Sequence, residues 1–189
     1  MRIIAGNLKG YPIFEPKTKN TRPLKDLARE SIFNLLIHSN KISFNLKETN
    51  ILDLYAGTGS FGLECISRYA KYVYFVENDK SAFEILEKNI EKLKVKKKTK
   101  TFFGNVFNIF KNHIILKSKF NLIFCDPPFK DTNVKSLIEL IFDKKILDKD
   151  GIIILHRNKN INEKLPSIFN ILDERIYGKS KIIFGNLLT

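Results

Sequence analysis

The chain has 189 residues, a hydrophobic fraction of 43% with 16 Phe, and a net charge of +13, which excludes a disordered chain and fits one domain with a proper core. No apolar run approaches the roughly 18–20 residues of a bilayer span, and the opening Met1-Arg2-Ile3-Ile4-Ala5-Gly6 turns polar too early for a signal peptide, so a soluble, cytoplasmic protein is expected. The charge rests on 27 Lys and only 6 Arg; an AT-rich coding bias would also raise Lys, yet the excess attracts polyanions and makes nucleic acid the expected partner, with a merely well-solvated surface as the alternative.

Residues 1–15 alternate loosely around Lys9-Gly10 and predict a small β-hairpin. Thr21-Arg22-Pro23 is a helix start, with Pro in the first turn and Asp26 near the positive end of the dipole. Leu24, Leu27, Ala28, Ile32 and Leu35 follow a helical period to about Ile37. From Thr49 onward strands and helices alternate: a buried strand over 51–54, a glycine turn, a helix over about 60–69, and a strand over 72–76 ending at Glu77. A helix from Lys80 follows, with Phe83, Leu86, Ile90 and Leu93 on one face, and then a strand over about 100–103. Phe120–Cys125 is a further buried strand ending at Asp126. A helix near 133–142 leads to a strand at Ile152–Leu155, and two last strand-like runs lie near 170–176 and 181–187. Strands alternating with helices of this length predict an α/β fold with a doubly wound, mostly parallel sheet, in which ligands bind at the carboxyl ends of the strands. Asp53, Glu77 and Asp126 stand at three such ends. Cys65 and Cys125 lie far apart, with no Cys-x-x-Cys and no His at ligand spacing, so neither a disulfide scaffold nor a metal site is expected.

Gly57-Thr58-Gly59-Ser60-Phe61-Gly62 fits a nucleotide-type glycine turn, with Glu77 at the end of the next strand placed to accept from ribose hydroxyls. That pattern alone suits a dinucleotide as well as S-adenosylmethionine; glycines serving only a sharp turn are the plain alternative. Asp53, ahead of the first glycine, tips the balance, because a carboxylate there repels a pyrophosphate but suits a sulfonium and an ammonium group.

Asp126-Pro127-Pro128-Phe129 follows its strand directly. The lone pair of an exocyclic nucleobase amine is delocalised into the ring. A carboxylate and a carbonyl accepting its two N–H bonds, from Asp126 and Pro127, would turn that lone pair toward a methyl donor. The two prolines stiffen the turn, and Phe129 offers a face on which an extruded base can stack. A capped Pro-Pro loop beside a core Phe is the alternative.

Taken together, Arg2-Ile3-Ile4-Ala5-Gly6, Thr21-Arg22-Pro23 with Arg29-Glu30, Asp53–Gly59, the 62–68 run Gly-Leu-Glu-Cys-Ile-Ser-Arg, and Asp126–Phe129 resemble the RsmD family over residues 1 to about 185, including His156 and Tyr177-Gly178. These are bacterial class I methyltransferases acting on guanine N2 of small-subunit (16S) ribosomal RNA. The resemblance implies a Rossmann-like seven-stranded sheet with an antiparallel last strand, a single domain over 1–189, an RNA-contacting extension over 1–40 and a catalytic core over 49–189. Leu24, Ala28 and Tyr55 depart from residues common in the family, none of them in the glycines or the Asp126 loop.

The cofactor set expected for S-adenosylmethionine is Asp53, Tyr55, Ala56, Gly57, Gly59, Glu77, Asn78 and Asn105; Asn105 can donate to and accept from an adenine edge. Asp126, Pro127, Pro128 and Phe129 are the catalytic loop. Arg2, Arg22 and Arg29 are the expected RNA contacts, since guanidinium suits bidentate phosphate binding; pairing within the chain is the alternative. The lysines of 92–100 are a solvated loop or a second RNA contact. His38, His113 and His156 fall in separate segments, and no His-based site is expected. The expected partner is small-subunit ribosomal RNA, free or within an assembling 30S particle, bound by a monomer. Two other readings are an adenine-N6 methyltransferase on DNA or RNA, and a non-catalytic RNA-binding assembly factor.

Overall fold

The computed structural model describes residues 1–15, 26–42 and 44–188, with the Asp26 side chain also left aside. Thr21-Arg22-Pro23 and Leu24 therefore lie outside the described residues. The predicted N-terminal hairpin is a loop closed by one antiparallel bridge, Arg2 to Pro12, with Ile3 N–H donating to Tyr11 and Ile13 N–H to Met1.

Helix α1 spans Asp26–His38. Its buried stripe is Ala28, Arg29, Ile32, Phe33 and Leu36, whereas Leu27, expected inside, is 70% exposed; burial of the Arg29 stem turns the helix away from the expected face. The alternating units follow: β1 (Asn50–Leu54), α2 (Ser60–Ser67), β2 (Tyr72–Glu77), α3 (Lys80–Lys92), β3 (Thr99–Phe103), two short helices α4 (Val106–Ile109) and α5 (His113–Lys117), β4 (Phe120–Cys125), α6 (Val134–Asp143), β5 (Leu147–Asn158), β6 (Phe169–Tyr177) and β7 (Ser180–Leu187). β5 begins earlier than the apolar run suggests, because Leu147 pairs with Phe120 before a register shift.

The seven strands lie in the order β3-β2-β1-β4-β5-β7-β6. All pairs from β3 to β5 are parallel, and β7 runs antiparallel to both β5 and β6. This is the Rossmann-like class I arrangement with its reversed last strand. One face of the sheet packs against the N-terminal loop, α1, α2 and α3; the other packs against α4, α5 and α6. The chain winds outward from β1 to β3 and then returns to β4, so the topological switch lies between β1 and β4, where ligands of open α/β sheets bind. Among the described residues no helix is long and apolar enough to cross a membrane.

Every residue of α2 is buried, because the N-terminal loop covers its outer side. Glu64, on α2 and 0% exposed, accepts from the backbone of Ile4 (2.7 Å) and Ala5 (2.9 Å) and pairs with Arg68. Ser67 Oγ accepts from Leu8 and donates to Ala5. Asn89 on α3 accepts from Phe14 N–H and donates to the carbonyls of Phe14 and Thr58. The extension is thus fastened to the core by buried polar side chains.

Candidate active site

The carboxyl ends of β1, β2, β4 and β5 lie side by side along one edge of the sheet. Asp53 in β1 is 1% exposed and lies in register with Phe75 on one side and Phe124 on the other. Its Oδ2 accepts from Gly62 N–H at 3.0 Å, at the start of α2, while Oδ1 has no partner among the described residues. Burial pushes the Asp53 carboxyl well above its usual range; the Gly62 hydrogen bond opposes this, and the nearby charges of Asp126 and Glu77 add to it. A buried acceptor left short among like charges is where a cationic ligand would gain most.

The turn between β1 and α2 depends on its glycines. Gly59 takes φ +83°, and a Cβ there would stand 2.4 Å from Leu86 Cδ1; a Cβ on Gly57 would meet nothing, so the turn's outer side is open. Ala56 N–H donates to Val76 across to β2. Glu77, buried at the end of β2, accepts from Gly57 N–H on Oε2 and from the N–H groups of Asn78 and Asp79 on Oε1. Since each carboxylate oxygen accepts about two hydrogen bonds, Oε2 alone keeps room for a hydroxyl. Glu77, expected from the sequence to accept from ribose hydroxyls, also builds the turn through three backbone N–H groups. Asn78 is exposed, and Asn105, also exposed, caps α4 by accepting from Phe107 N–H. The residues present fit S-adenosylmethionine: an unpaired buried carboxylate for its cationic end, an open glycine turn, and one free acceptor site on Glu77.

Asp126 leaves β4 with its side chain 20% exposed, and its Oδ1 lies 2.7 Å from Nδ1 of His156. Pro127 is buried, Pro128 exposed and Phe129 half-buried, the last with its ring edge-to-face on the imidazole at 5.7 Å. Two neighbours on β5 hold this loop. His156 takes Asp126 on one face of the sheet, while Arg157, 2% exposed, points to the other. The Arg157 guanidinium pairs with Glu163 and donates to the carbonyls of Pro128 (3.2 Å) and Asp131 (2.6 Å). Asp131 N–H also donates to Pro128, and the Tyr55 hydroxyl donates to Asp131 Oδ2 at 3.2 Å. Tyr55, whose own φ is +60°, therefore braces the loop that follows Asp126. Burial, then the Asp131 charge, pushes its phenol up.

His156, one of three His in separate segments with no site expected of them, is brought by the structure to Asp126. In the parallel pairing Cys125 stands opposite Leu155, so the next residue of each strand, Asp126 and His156, is brought side by side. The available signal was two apolar runs each ending in a polar residue. Arg29 is corrected: it is 0% exposed and donates to the Arg2 carbonyl at 2.8 Å, so it holds the N-terminal loop and cannot reach a phosphate. Arg2 is exposed, and Arg22 lies outside the described residues. The exposed Lys96–Lys98 form a single 3-10 turn before β3, and Lys92 lies over the Phe14 ring at 4.3 Å. Among the described residues no His, Cys, Asp and Glu cluster could hold a metal.

A family model described as conserved hypothetical protein 95 matches residues 1–186. Ribosomal RNA small subunit methyltransferase D of Buchnera aphidicola subsp. Acyrthosiphon pisum is 33% identical to this chain over 179 residues, covering 92% of this chain and 86% of the relative. The protein of the same name from Escherichia coli K12 is 28% identical over 184 residues, covering 95% and 86%. The solved structure of yhhF from Escherichia coli superposes with a TM-score of 0.82 at 26% identity, covering 99% of this chain and 97% of that one.

Proposed function

The chain belongs to the RsmD family, and on that premise we propose that it transfers a methyl group from S-adenosylmethionine to the exocyclic N2 amine of a guanine in small-subunit ribosomal RNA. The observation that carries the reading is Asp126: a part-exposed carboxylate fixed by His156 at the end of β4, beside the strand that carries the buried, partly unpaired Asp53 and leads into the glycine turn.

S-adenosylmethionine, when bound, supplies an electrophilic methyl group on a sulfonium. Asp53 would face its cationic end, Glu77 Oε2 a ribose hydroxyl, and the turn from Tyr55 to Gly59 its body. Asn78 and Asn105, both exposed just after β2 and β3, would meet the adenine edge. Asp126 accepts one N–H of the guanine amine and the Pro127 carbonyl the other, which localises the lone pair on nitrogen. The Pro128 carbonyl is already engaged by Arg157 and Asp131. Asp126, or water, would take the proton that the amine gives up once methylated. Phe129 would flank the extruded base. RNA backbone contacts fall to Arg2, Arg22 and the lysines of 92–100, and the whole chain, 1–189, acts as one monomeric unit in the cytoplasm.

Transfer of labelled methyl from S-adenosylmethionine to small-subunit RNA, with and without bound ribosomal proteins, followed by nucleoside analysis, tests this. N2-methylguanosine is expected. N6-methyladenosine would move the activity to another base, and absence of incorporation in every substrate would leave an RNA-binding assembly factor.

A further inference from the structure

His156 ties the catalytic loop to the antiparallel hairpin on the far side of β5. The ring is almost fully buried. Its Nδ1 stands 2.7 Å from Asp126 Oδ1, and its Nε2 stands 2.9 Å from the hydroxyl of Ser180, the first residue of β7. An ionised Asp126 offers only acceptor lone pairs, so the nitrogen facing it must carry the ring proton. The other nitrogen of a neutral imidazole is then an acceptor, and the Ser180 hydroxyl, free to rotate, donates to it. With both nitrogens committed, and Phe129 against the ring, a flip would place carbon against a carboxylate oxygen and lose both hydrogen bonds.

On the methyl-transfer reading above, we infer that His156 is a positioning residue for the reaction: anchored by Ser180 at Nε2, it donates from Nδ1–H to Asp126 Oδ1 and so leaves Oδ2 as the oxygen with both acceptor sites open to the target amine. It touches neither the methyl donor nor the base. The carboxylate is thereby oriented before substrate arrives, and its amine-facing oxygen is defined. The division of labour along β5 supports this. His156 orients the carboxylate of the loop, and the next residue, Arg157, fixes the loop's backbone from the opposite face of the sheet. Ser180 gives the β6–β7 hairpin, which holds no group of the proposed chemistry, a part in setting the geometry at β4.

Two measurements test it. The chain has three His, and nitrogen-15 spectra of histidine-labelled protein, with the His156 signals identified by their loss in His156→Asn, report the tautomer directly. A ring with its proton on Nδ1 in the wild type is expected, and the Asp126 carboxylate should keep it there in Ser180→Ala; an Nε2–H ring in the wild type overturns the inference. In single-turnover methylation of small-subunit RNA at saturating cofactor, His156→Ala should lose roughly tenfold to a hundredfold in rate, the scale of a misplaced reacting group, with cofactor affinity unchanged. His156→Asn, whose amide N–H can stand where Nδ1–H stood, should recover most of that loss. Equal losses in the Asn and Ala variants, or cofactor affinity falling in step with rate, overturns the positioning role. Wild-type protein that transfers no methyl to RNA overturns the functional reading instead, and the ring's tautomer still decides the geometry on its own.

Discussion

Two buried carboxylates, Glu64 on α2 and Asp53 bonded to the start of that helix, are treated in opposite ways. Glu64, on the side covered by the N-terminal loop, has two backbone N–H groups and the Arg68 guanidinium as donors. Asp53, on the side of the glycine turn, has Gly62 N–H alone, with its second oxygen unpartnered and the charges of Asp126 and Glu77 nearby. Burial without partners is costly, so a fold that saturates one carboxylate and starves the other is distributing structure and function. Glu64 completes the architecture; Asp53 waits to be completed by something else.

The largest expected effect falls on the saturated side. Glu64→Ala strands two N–H groups and Arg68, and should lower stability by about 3–5 kcal/mol, the scale for breaking a buried pair, as read from urea unfolding. A variant nearly as stable as wild type would mean that the N-terminal loop docks without it. Next comes the starved side's neighbour. Asp126→Ala should cut methyl transfer by about 10²–10³, as when one positioned electrostatic partner is lost from a transition state, with cofactor affinity little changed. Near wild-type single-turnover rates would remove the loop from the chemistry.

Asp53→Asn sharpens the contrast itself. It should weaken S-adenosylmethionine binding by about 1.5–3 kcal/mol without loss of stability at neutral pH. Because burial raises the folded-state pKa of Asp53, the folded chain holds more protons than the unfolded one between the ordinary carboxylate range and that raised value. Stability contributed by Asp53 therefore falls as pH climbs through this window. The Asn variant should lack that descent in unfolding midpoints taken across pH, and an unchanged slope would show that other groups produce it. The smallest effect separates the two arginines. Arg2→Ala should reduce the salt dependence of RNA binding by about one phosphate contact, whereas Arg29→Ala should leave the salt slope intact and lower stability. The reverse pattern would overturn the assignment of Arg29 to the core.

The strand ends, the glycine turn and the Asp126 loop were legible because each is a local signal: an apolar run, a tight turn, two prolines. The short helices α4 and α5 were not, since four or five residues show no period. The early part of β5 was hidden by Asp148-Lys149-Asp150. At the site, what escaped was every partnership between distant segments. Asp126 with His156, Arg157 with the carbonyls of Pro128 and Asp131, and Arg29 with Arg2 join residues more than twenty positions apart. A lone buried Arg or His gives no sign of its partner until strand register is known. Leu27 was misread for a related reason: an apolar period cannot foresee that a long cation will take a core position.

The fastening of the N-terminal loop also bears on how the chain assembles. Ile4 and Ala5 wait for Glu64, Leu8 for Ser67, and Phe14 for Asn89, partners 59 to 75 residues further along. At synthesis rates of about 5–20 residues per second, the opening segment, with Ile3 and Ile13 still uncovered, spends seconds outside the ribosome before its anchors exist. Contacts of such long sequence separation form late and slowly. The residues of this loop are thus among the last to settle, and α2 reaches its fully covered state only when they come back to it.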